Sequence, residues 1–227
     1  INTASTLVDT TLGLSISKYT GTGSNATVGH GLGVAPNMML IKNLGTTDAW
    51  SVYYGDNTDY IVFNTAAGTV DDATMWNDTS PTSTVFSIGS SHSVNASSEH
   101  YIAYCFANSQ FISVGTYTGN ENVDGTFVPT INSLGVPIQP VWVMVKNSVQ
   151  ARSWNIIDTA RNPYNVSNYV LEADTTTAQQ TGSDTLWNMD IVTGGFKLRS
   201  SHETSNGAET MIYLVIGTPL IDTSGRI

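Results

Sequence analysis

Four histidines and eighteen acidic side chains are the residues of this sequence that are able to carry acid–base chemistry. His92 and His202 each end a Ser-Ser-His triplet, and His30 lies at the edge of a glycine-rich stretch. A Ser-His-Asp triad is defined by geometry rather than by spacing, so the sequence leaves one open. No Gly-x-Ser-x-Gly motif, which positions the nucleophile of many hydrolases, occurs. The pattern favours a protein that is not an enzyme.

A glycine-rich stretch, Gly29-His-Gly-Leu-Gly33, has the composition of a phosphate-binding loop. It lacks the Gly-Lys-Ser/Thr ending of a P-loop, and neither a strand–helix–strand unit nor a helix is indicated around it. We therefore interpret it as a turn and expect no cofactor. If this loop contacts a ligand, His30 and Leu32 are the residues that we expect to do so.

A second loop brings oxygen-bearing side chains together at Asn120, Glu121 and Asp124. Carboxylate and amide oxygens are the ligands of Ca²⁺, but the spacing departs from that of an EF-hand loop. We predict no metal site here, and we count the three residues with His30 and Leu32 as candidate ligand contacts.

Charge and cysteine usage exclude several classes of partner. The chain has 18 Asp and Glu against 8 Lys and Arg, which gives a net charge of −10. Binding to phosphate backbones or to anionic membranes needs clustered cations, so we expect neither nucleic acid nor a membrane as a partner. Cys105 is the only cysteine, so the sequence has no intrachain disulfide and no cysteine-rich zinc site.

Short apolar runs rich in β-branched and aromatic residues alternate with Gly-, Asn-, Asp- and Ser-rich connections, which predicts an all-β fold with antiparallel strands. The predicted strands are Met38 to Lys42, Trp50 to Tyr54, Tyr60 to Phe63, Val85 to Ile88, Tyr101 to Ala107, Val141 to Lys146, Trp154 to Ile157, Tyr169 to Leu171, Phe196 to Arg199 and Met211 to Ile216.

The two halves of the chain repeat the same pattern. Pro36 begins a stretch that returns at Pro140, an offset of 140 − 36 = 104, and Trp50 returns as Trp154 at the same offset. Tyr19-Thr-Gly also returns, as Tyr117-Thr-Gly, and Phe86 with His92 returns as Phe196 with His202. An internal duplication explains a common order better than chance does.

The duplication divides the chain into an N-terminal extension (1–16), copy one (17–108), copy two (109–217) and a C-terminal tail (218–227). We predict that each copy is an antiparallel β-sandwich resembling a jelly roll, and that the two are separate or fused into one pseudo-symmetric domain. The strand from Val141 is apolar at consecutive positions, which predicts that both of its faces are covered. The repeated Trp50 and Trp154 are expected to supply core.

The combination of Tyr-Thr-Gly, VGHGLGVAPNMMLIKN, MWNDTSPTSTVFSIGSSHSVNASSEHYIAYCFA and SWNIIDTARNPYN resembles a repeated domain of tail-fibre-like proteins of marine bacteriophages, cyanophages included. The resemblance covers the chain from about Ile16 to Gly217. It implies a protein of the virion, located at the particle surface or tail and associated with other virion proteins. It also implies homo-oligomers, with trimers common among fibres.

Three functions therefore stand at this point. The first is a non-enzymatic structural protein of a tail fibre, appendage or surface decoration, with host attachment through surface glycans. The second is a carbohydrate-binding β-sandwich module in which exposed aromatics such as Tyr53, Tyr54 and Tyr164 stack on sugar rings. The third is a hydrolase of host polysaccharide, which would need two carboxylates facing each other across a groove.

Overall fold

A computed structural model describes residue 1 and residues 5–182 and 187–220. Over these residues the fold is all-β, with antiparallel sheets and three helices of one turn each. It divides into two compact units. Unit one comprises Ile1–Asn64 and Thr69–Ala107, and unit two comprises Thr65–Gly68 and Asn108–Ile227.

Unit one contains a seven-stranded sheet in the order β1-β2-β9-β4-β5-β6-β7 and a two-stranded sheet of β3 and β8. Its elements are β1 (Ser5–Asp9), β2 (Leu14–Thr20), β3 (Ala26–Gly29), β4 (Met38–Asn43), β5 (Ser51–Tyr53), β6 (Asp59–Val62), β7 (Val70–Asp71), α1 (Ala73–Trp76), β8 (Val85–Ile88), α2 (His92–Asn95) and β9 (His100–Phe106).

Unit two contains a six-stranded sheet in the order β10-β18-β12-β13-β14-β15 and a three-stranded sheet in the order β11-β17-β16. Its elements are β10 (Ile112–Thr118), β11 (Phe127–Pro129), β12 (Ile138–Asn147), β13 (Asn155–Asp158), β14 (Tyr169–Glu172), β15 (Gln180–Thr181), β16 (Met189–Val192), β17 (Gly195–Leu198), α3 (Glu203–Asn206) and β18 (Thr210–Pro219).

Each unit is a sandwich because the larger and smaller sheets share one apolar core. In unit one, Tyr19 of the larger sheet meets Phe86 of the smaller sheet edge-on, with ring centroids 6.2 Å apart. In unit two, Tyr117 meets Phe196 in the same way at 5.9 Å. Burial of such large rings stabilises the contact between the layers. The predicted all-β sandwich class is confirmed.

The ten strands predicted from apolar runs are all present, with bounds shifted by up to a few residues. In β12, the residues from Val143 to Asn147 are buried in succession, but Val141 is exposed and Trp142 is half-buried, so the prediction that both faces of this strand are covered is wrong at its first two positions. In β18, consecutive residues are buried from Met211 to Val215, so both faces of that strand are covered. Trp154 is buried, whereas Trp50 is half-buried and lies beside Tyr104 at 6.0 Å. Core burial is therefore full for only one of these two tryptophans.

The repeated prolines introduce the central strand of each larger sheet. Pro36 is buried two residues before β4 begins. Pro140 is buried inside β12, at a shift of register that ends at Trp142. Proline lacks the N–H that a regular ladder uses, so a strand entrance or a bulge suits it.

The ends of the chain differ from the simple scheme of two copies with extensions. Residues 1–16 contain β1 and the first residues of β2, so they contribute to the larger sheet of unit one. At the other end, β18 continues to Pro219, and residues 221–227 lie outside the described part. Within the described residues, no helix has the length and hydrophobicity that crossing a membrane requires.

Candidate functional site

The side chain of His30 holds the glycine loop in place from the interior of the protein. Its ring is buried, its Nδ1 accepts from the Leu32 N–H at 3.2 Å, and its Nε2 lies 3.1 Å from the Thr82 carbonyl oxygen, to which it donates. Burial lowers the pKa of His30, which favours the neutral ring that this pattern needs. Leu32 belongs to the apolar core. Both predicted contact residues therefore point into the protein and hold the turn in place.

The outward side of this loop packs beneath β1. Gly31 has a φ of +74°, and a Cβ placed on it would lie 2.8 Å from Cγ2 of Val8. Glycine is needed both for that backbone angle and for that approach. In unit two, β10 is the counterpart of β2 and ends its sheet, so the described residues hold no strand in the place of β1. Among the described residues, the glycine loop and the strand that packs on it therefore both occur in unit one alone.

The predicted acidic loop is exposed and is organised by Asn206. The Asn120 N–H donates to Asn206 Oδ1 at 3.1 Å, and Asn206 Nδ2 donates back to Asn120 Oδ1 at 2.9 Å. The N–H of Glu121 donates to the Asn206 carbonyl at 2.9 Å, and Glu121 has a left-handed φ of 53°. These contacts fix the backbone of the loop.

Asp124 of the same loop forms ion pairs within the protein. Its carboxylate lies 2.7 Å from Lys197 Nζ and 3.5 Å from Arg199 Nη1, and the bond to Lys197 is the main reason that the pKa of Asp124 is lowered. Arg199 also reaches Asp190 at 2.6 Å. Across the described ranges, no three His, Cys, Asp or Glu side chains converge as a metal site would need.

A buried asparagine performs the same task in each unit. Asn95 Nδ2 donates to the carbonyls of Gly89 at 2.6 Å and Ser24 at 2.7 Å, and its Oδ1 accepts from the Thr22 N–H at 2.8 Å. Asn206 bonds in the same way to Ser200 and to the acidic loop. A fully bonded amide in the interior ties a loop to a helix end.

The Tyr-Thr-Gly repeat closes on the same helix end. The Tyr19 hydroxyl donates to the Val94 carbonyl at 2.7 Å, and the Tyr117 hydroxyl donates to the Ser205 carbonyl. A Cβ placed on Gly21 would lie 2.2 Å from the Ala96 carbonyl oxygen, and the corresponding glycine of unit two is equally close to its helix end. The repeat therefore serves the scaffold, since its tyrosine caps the helix and its glycine allows the backbones to touch.

The two Ser-Ser-His triplets are one position out of step in the structure. Ser91 is the N-cap of α2, where its hydroxyl accepts from the Ser93 N–H, whereas His202 is the N-cap of α3, where its ring accepts from the Thr204 N–H. His92 and His202 are therefore not equivalent, although the sequence comparison of the two copies predicts that they are. The counterpart of His92 is Glu203.

This register explains why the acidic and the basic member of one side-chain pair exchange places between the units. In unit one, His92 Nδ1 lies 2.8 Å from Asp48 Oδ2. In unit two, Arg152 forms an ion pair with Glu203, so the base and the acid have exchanged places. Asp48 also accepts from the Thr46 hydroxyl at 2.7 Å. The Asp–His pair has the geometry of two triad members, but its replacement by an ion pair favours a structural role.

At the end of the central strand of each larger sheet, a lysine donates hydrogen bonds to backbone carbonyls of the loop that follows. Lys42 Nζ donates to the carbonyls of Asn43 at 2.8 Å and Thr46 at 3.0 Å. Lys146 donates to Asn147 at 2.7 Å and to two further carbonyls, those of Gln150 and Ala66. Lys146 is fully buried, and this burial lowers its pKa to about 8.

The three tyrosines considered as sugar contacts have different surroundings. Tyr53 and Tyr54 are buried in unit one, so their rings are not presented to a ligand. Tyr164 is 80% exposed on the long loop between β13 and β14. Asn165 anchors this loop to β16, because its Oδ1 accepts from the Ile191 N–H at 2.9 Å and its Nδ2 donates to the Ile191 carbonyl at 2.8 Å.

The asparagines and lysines that organise both units were not among the residues predicted to matter. Lys42-Asn43 and Lys146-Asn147 do end the repeated stretch, so a signal for them existed. Asn95 and Asn206 follow the histidine triplets, and the one-residue difference conceals their equivalence when the histidines are aligned.

These features define an all-β protein of two related sandwich units. The sequence profile of a family described as a domain of unknown function (DUF7483) matches residues 2–218, and the chain belongs to that family. Searches among the curated proteins and among the solved structures give no match.

Proposed function

We propose that this chain is a non-enzymatic structural protein of a bacteriophage particle, in a tail fibre, an appendage or a surface decoration. It works by assembling with further copies of itself and with other virion proteins. The likeness of its repeated stretches to marine phage tail-fibre-like proteins supports this class, as does a composition dominated by uncharged polar residues and glycine.

The observation that carries the proposal is the set of hydrogen bonds that the repeated polar side chains form. Asn95 and Asn206, and likewise Tyr19 and Tyr117, bond to the backbone of their own unit. What the duplication preserves is thus a rigid scaffold, while the surface loops differ. Repetition of a rigid unit with variable surfaces suits a building part of a larger assembly.

Mass spectrometry of purified bacteriophage particles that carry the gene for this chain tests this function. We expect peptides of the chain at a fixed ratio to a known particle protein, in intact particles that have been washed at high salt. Recovery of the chain only from the particle-free fraction would overturn the proposal.

Host attachment through a glycan is the second candidate function, and the exposed ring of Tyr164 favours it. The bonds between Asn165 and Ile191 hold the loop, so the ring is presented without the entropic cost of ordering a flexible segment. Stacking on the apolar face of a sugar requires a ring of this kind.

Binding of the chain to host surface polysaccharide, followed by NMR, tests the glycan function. We expect Tyr164→Ala to abolish binding, and Tyr164→Phe to keep it because the ring remains. Equal binding by the wild type and Tyr164→Ala, or none by the wild type, would exclude this role for the loop.

A further inference from the structure

The edges of the sheets differ in how well they are protected from pairing with another chain. An unprotected edge strand offers a row of free N–H and C=O groups, and proteins block such edges with short strands, prolines or covering segments. The three larger sheets have six edge strands, which are β1, β7, β10, β11, β15 and β16.

Five of these six edges carry a recognisable block. β7 and β15 are two residues long, and β11 ends in Pro129. Along β10, Asn108 Oδ1 accepts from the Val114 N–H at 2.6 Å and Ser109 Oγ accepts from the Ile112 N–H at 3.0 Å. The edge of β16 is covered by the side chain of Asn165.

Within the part of the chain that the structure describes, β1 is the exception. Ser5–Asp9 pairs with β2 in an unbroken register and has neither a proline, a lysine nor a bulge. Leu7 is 73% exposed and Val8 is exposed as well. Beside them lies a shallow, mostly apolar depression of about 200 Å³, which is lined by Leu7, Val8, Asp9, Leu14 and Ile16. An open edge next to exposed apolar side chains is typical of an interface.

We propose that β1 is an interface between two copies of this chain, which pair antiparallel through β1 about a two-fold axis at Leu7. The inference deepens the proposed function, on which it rests for its biological meaning, by naming the surface through which copies meet. Two seven-stranded sheets then become one continuous sheet.

The sequence of β1 is complementary to itself in this register. Leu7 lies opposite Leu7 of the second copy, and Thr6 lies opposite Val8. Asp9 lies opposite Ser5, so the two carboxylates stay apart and each meets a hydroxyl. Directly opposed side chains point to the same face of a sheet, which places the second leucine over the apolar depression. A second copy is therefore favoured over a foreign strand.

The size of the contact sets the expected strength. Pairing through one strand of five residues buries a surface area well below the roughly 1,200–2,000 Å² that a stable interface buries. We therefore expect dissociation constants in the micromolar range for the isolated chain. Such a contact becomes effective when many copies are held together in one assembly.

Sedimentation analysis of the full chain over a wide concentration range is the first test. The wild type is expected to form dimers at high concentration, and Leu7→Lys is expected to weaken them about tenfold or more, because like charges then oppose each other across the axis. Leu134→Lys is the matched control, since Leu134 is 71% exposed and lies outside β1. Circular dichroism checks that each variant folds.

Cysteine cross-linking tests the register. Leu7→Cys is expected to form a disulfide-linked dimer readily under mild oxidation, because opposed Cα atoms lie about 4.5–5.5 Å apart, within the range that a disulfide spans. Ser5→Cys should cross-link poorly, as Ser5 faces Asp9 rather than itself, and Leu134→Cys reports collisions. The native Cys105 is buried and does not interfere.

The outcomes separate this inference from the proposed function. Cross-linking at Leu7 above both controls, together with weakening by Leu7→Lys, supports the β1 interface. Oligomers that neither change affects would overturn the interface and leave the structural function standing. A chain that stays monomeric at every concentration, and that is absent from particles, would overturn both.

Discussion

Nδ2 of Asn95 and Nδ2 of Asn206 each donate to the carbonyl oxygen of the residue six positions earlier, at 2.6 Å to Gly89 and at 2.7 Å to Ser200. Each amide also bonds to the loop that follows Tyr-Thr-Gly, through Ser24 in unit one and through the acidic loop in unit two. The same junction of helix end, loop and sheet is thus built twice from one side chain.

Replacing either asparagine with alanine is expected to lower the free energy of unfolding by about 2–3 kcal/mol, because buried carbonyl and amide groups lose their partners. Denaturant unfolding of Asn95→Ala and Asn206→Ala measures the loss. Asn122→Ala, in the exposed acidic loop, is the control and is expected to change stability by less than about 0.5 kcal/mol. Equal losses at all three positions would contradict the role of the two buried amides.

Gly21→Ala and Gly119→Ala are expected to destabilise the protein by about 2–4 kcal/mol, since the new methyl group meets a backbone oxygen that cannot move easily. The distances from the added Cβ are 2.2 Å to the Ala96 oxygen and 2.3 Å to the Gly207 oxygen. Thermal unfolding compares them with Gly29→Ala, where the nearest atom would be 3.9 Å away. Similar melting temperatures for the three variants would show that the close approach is unimportant.

Asp48 is expected to make the free energy of unfolding depend on pH in the acidic range. The bond from the Thr46 hydroxyl is the largest cause of its lowered pKa, and His92 adds to it. A carboxyl group with a lower pKa in the folded state stabilises the protein above its unfolded pKa of about 3.9, and this contribution disappears as the pH falls through the folded pKa.

Urea unfolding of Asp48→Asn measures this contribution. We expect the variant to be less stable than the wild type at pH 7 by less than about 1 kcal/mol, as is usual for a pair at the surface. The difference should shrink below about pH 4. The exposed Asp71→Asn serves as control, and a difference that stays constant with pH would contradict the assignment.

Lys146 is expected to make the free energy of unfolding depend on pH in the alkaline range. Its pKa is about 8 because burial outweighs the attraction of Asp174, while an unfolded lysine titrates near 10.4. Between these values the unfolded chain binds more protons than the folded one, so the free energy of unfolding rises with pH. Unfolding of the wild type and of Lys146→Met from pH 7.5 to 9.5 isolates the effect.

The expected result for Lys146 is an increase with pH in the wild type relative to the variant. Lys42→Met makes the same change of residue type at the half-buried equivalent position and is the matched control. A flat difference for Lys146→Met would mean that its ammonium group is not penalised by burial.

The sequence was sufficient for the sandwich class and for the strands that carry apolar runs, because burial on both faces leaves consecutive apolar residues, as in Met211 to Val215. It was insufficient for β1 and for short strands such as β7, whose exposed residues carry little periodicity. β1 was therefore assigned to an extension, although it is an edge strand of the sheet.

The site predictions followed the residues that stand out chemically and missed those that form the scaffold. His30 stands out as a titratable group, yet its ring is used inside the glycine loop. In a chain so rich in asparagine, Asn95 and Asn206 do not stand out until their bonds are seen. Tyr53 and Tyr164 look alike in sequence, and burial separates them.

Hydrogen–deuterium exchange of the wild-type chain at low and high concentration tests most directly whether copies meet through β1. The amides of Ser5–Asp9 are predicted to exchange more slowly at high concentration, while those of Ile112–Thr118 at the blocked edge exchange at an unchanged rate. Exchange of Ser5–Asp9 that is independent of concentration in a chain that does associate would contradict the account.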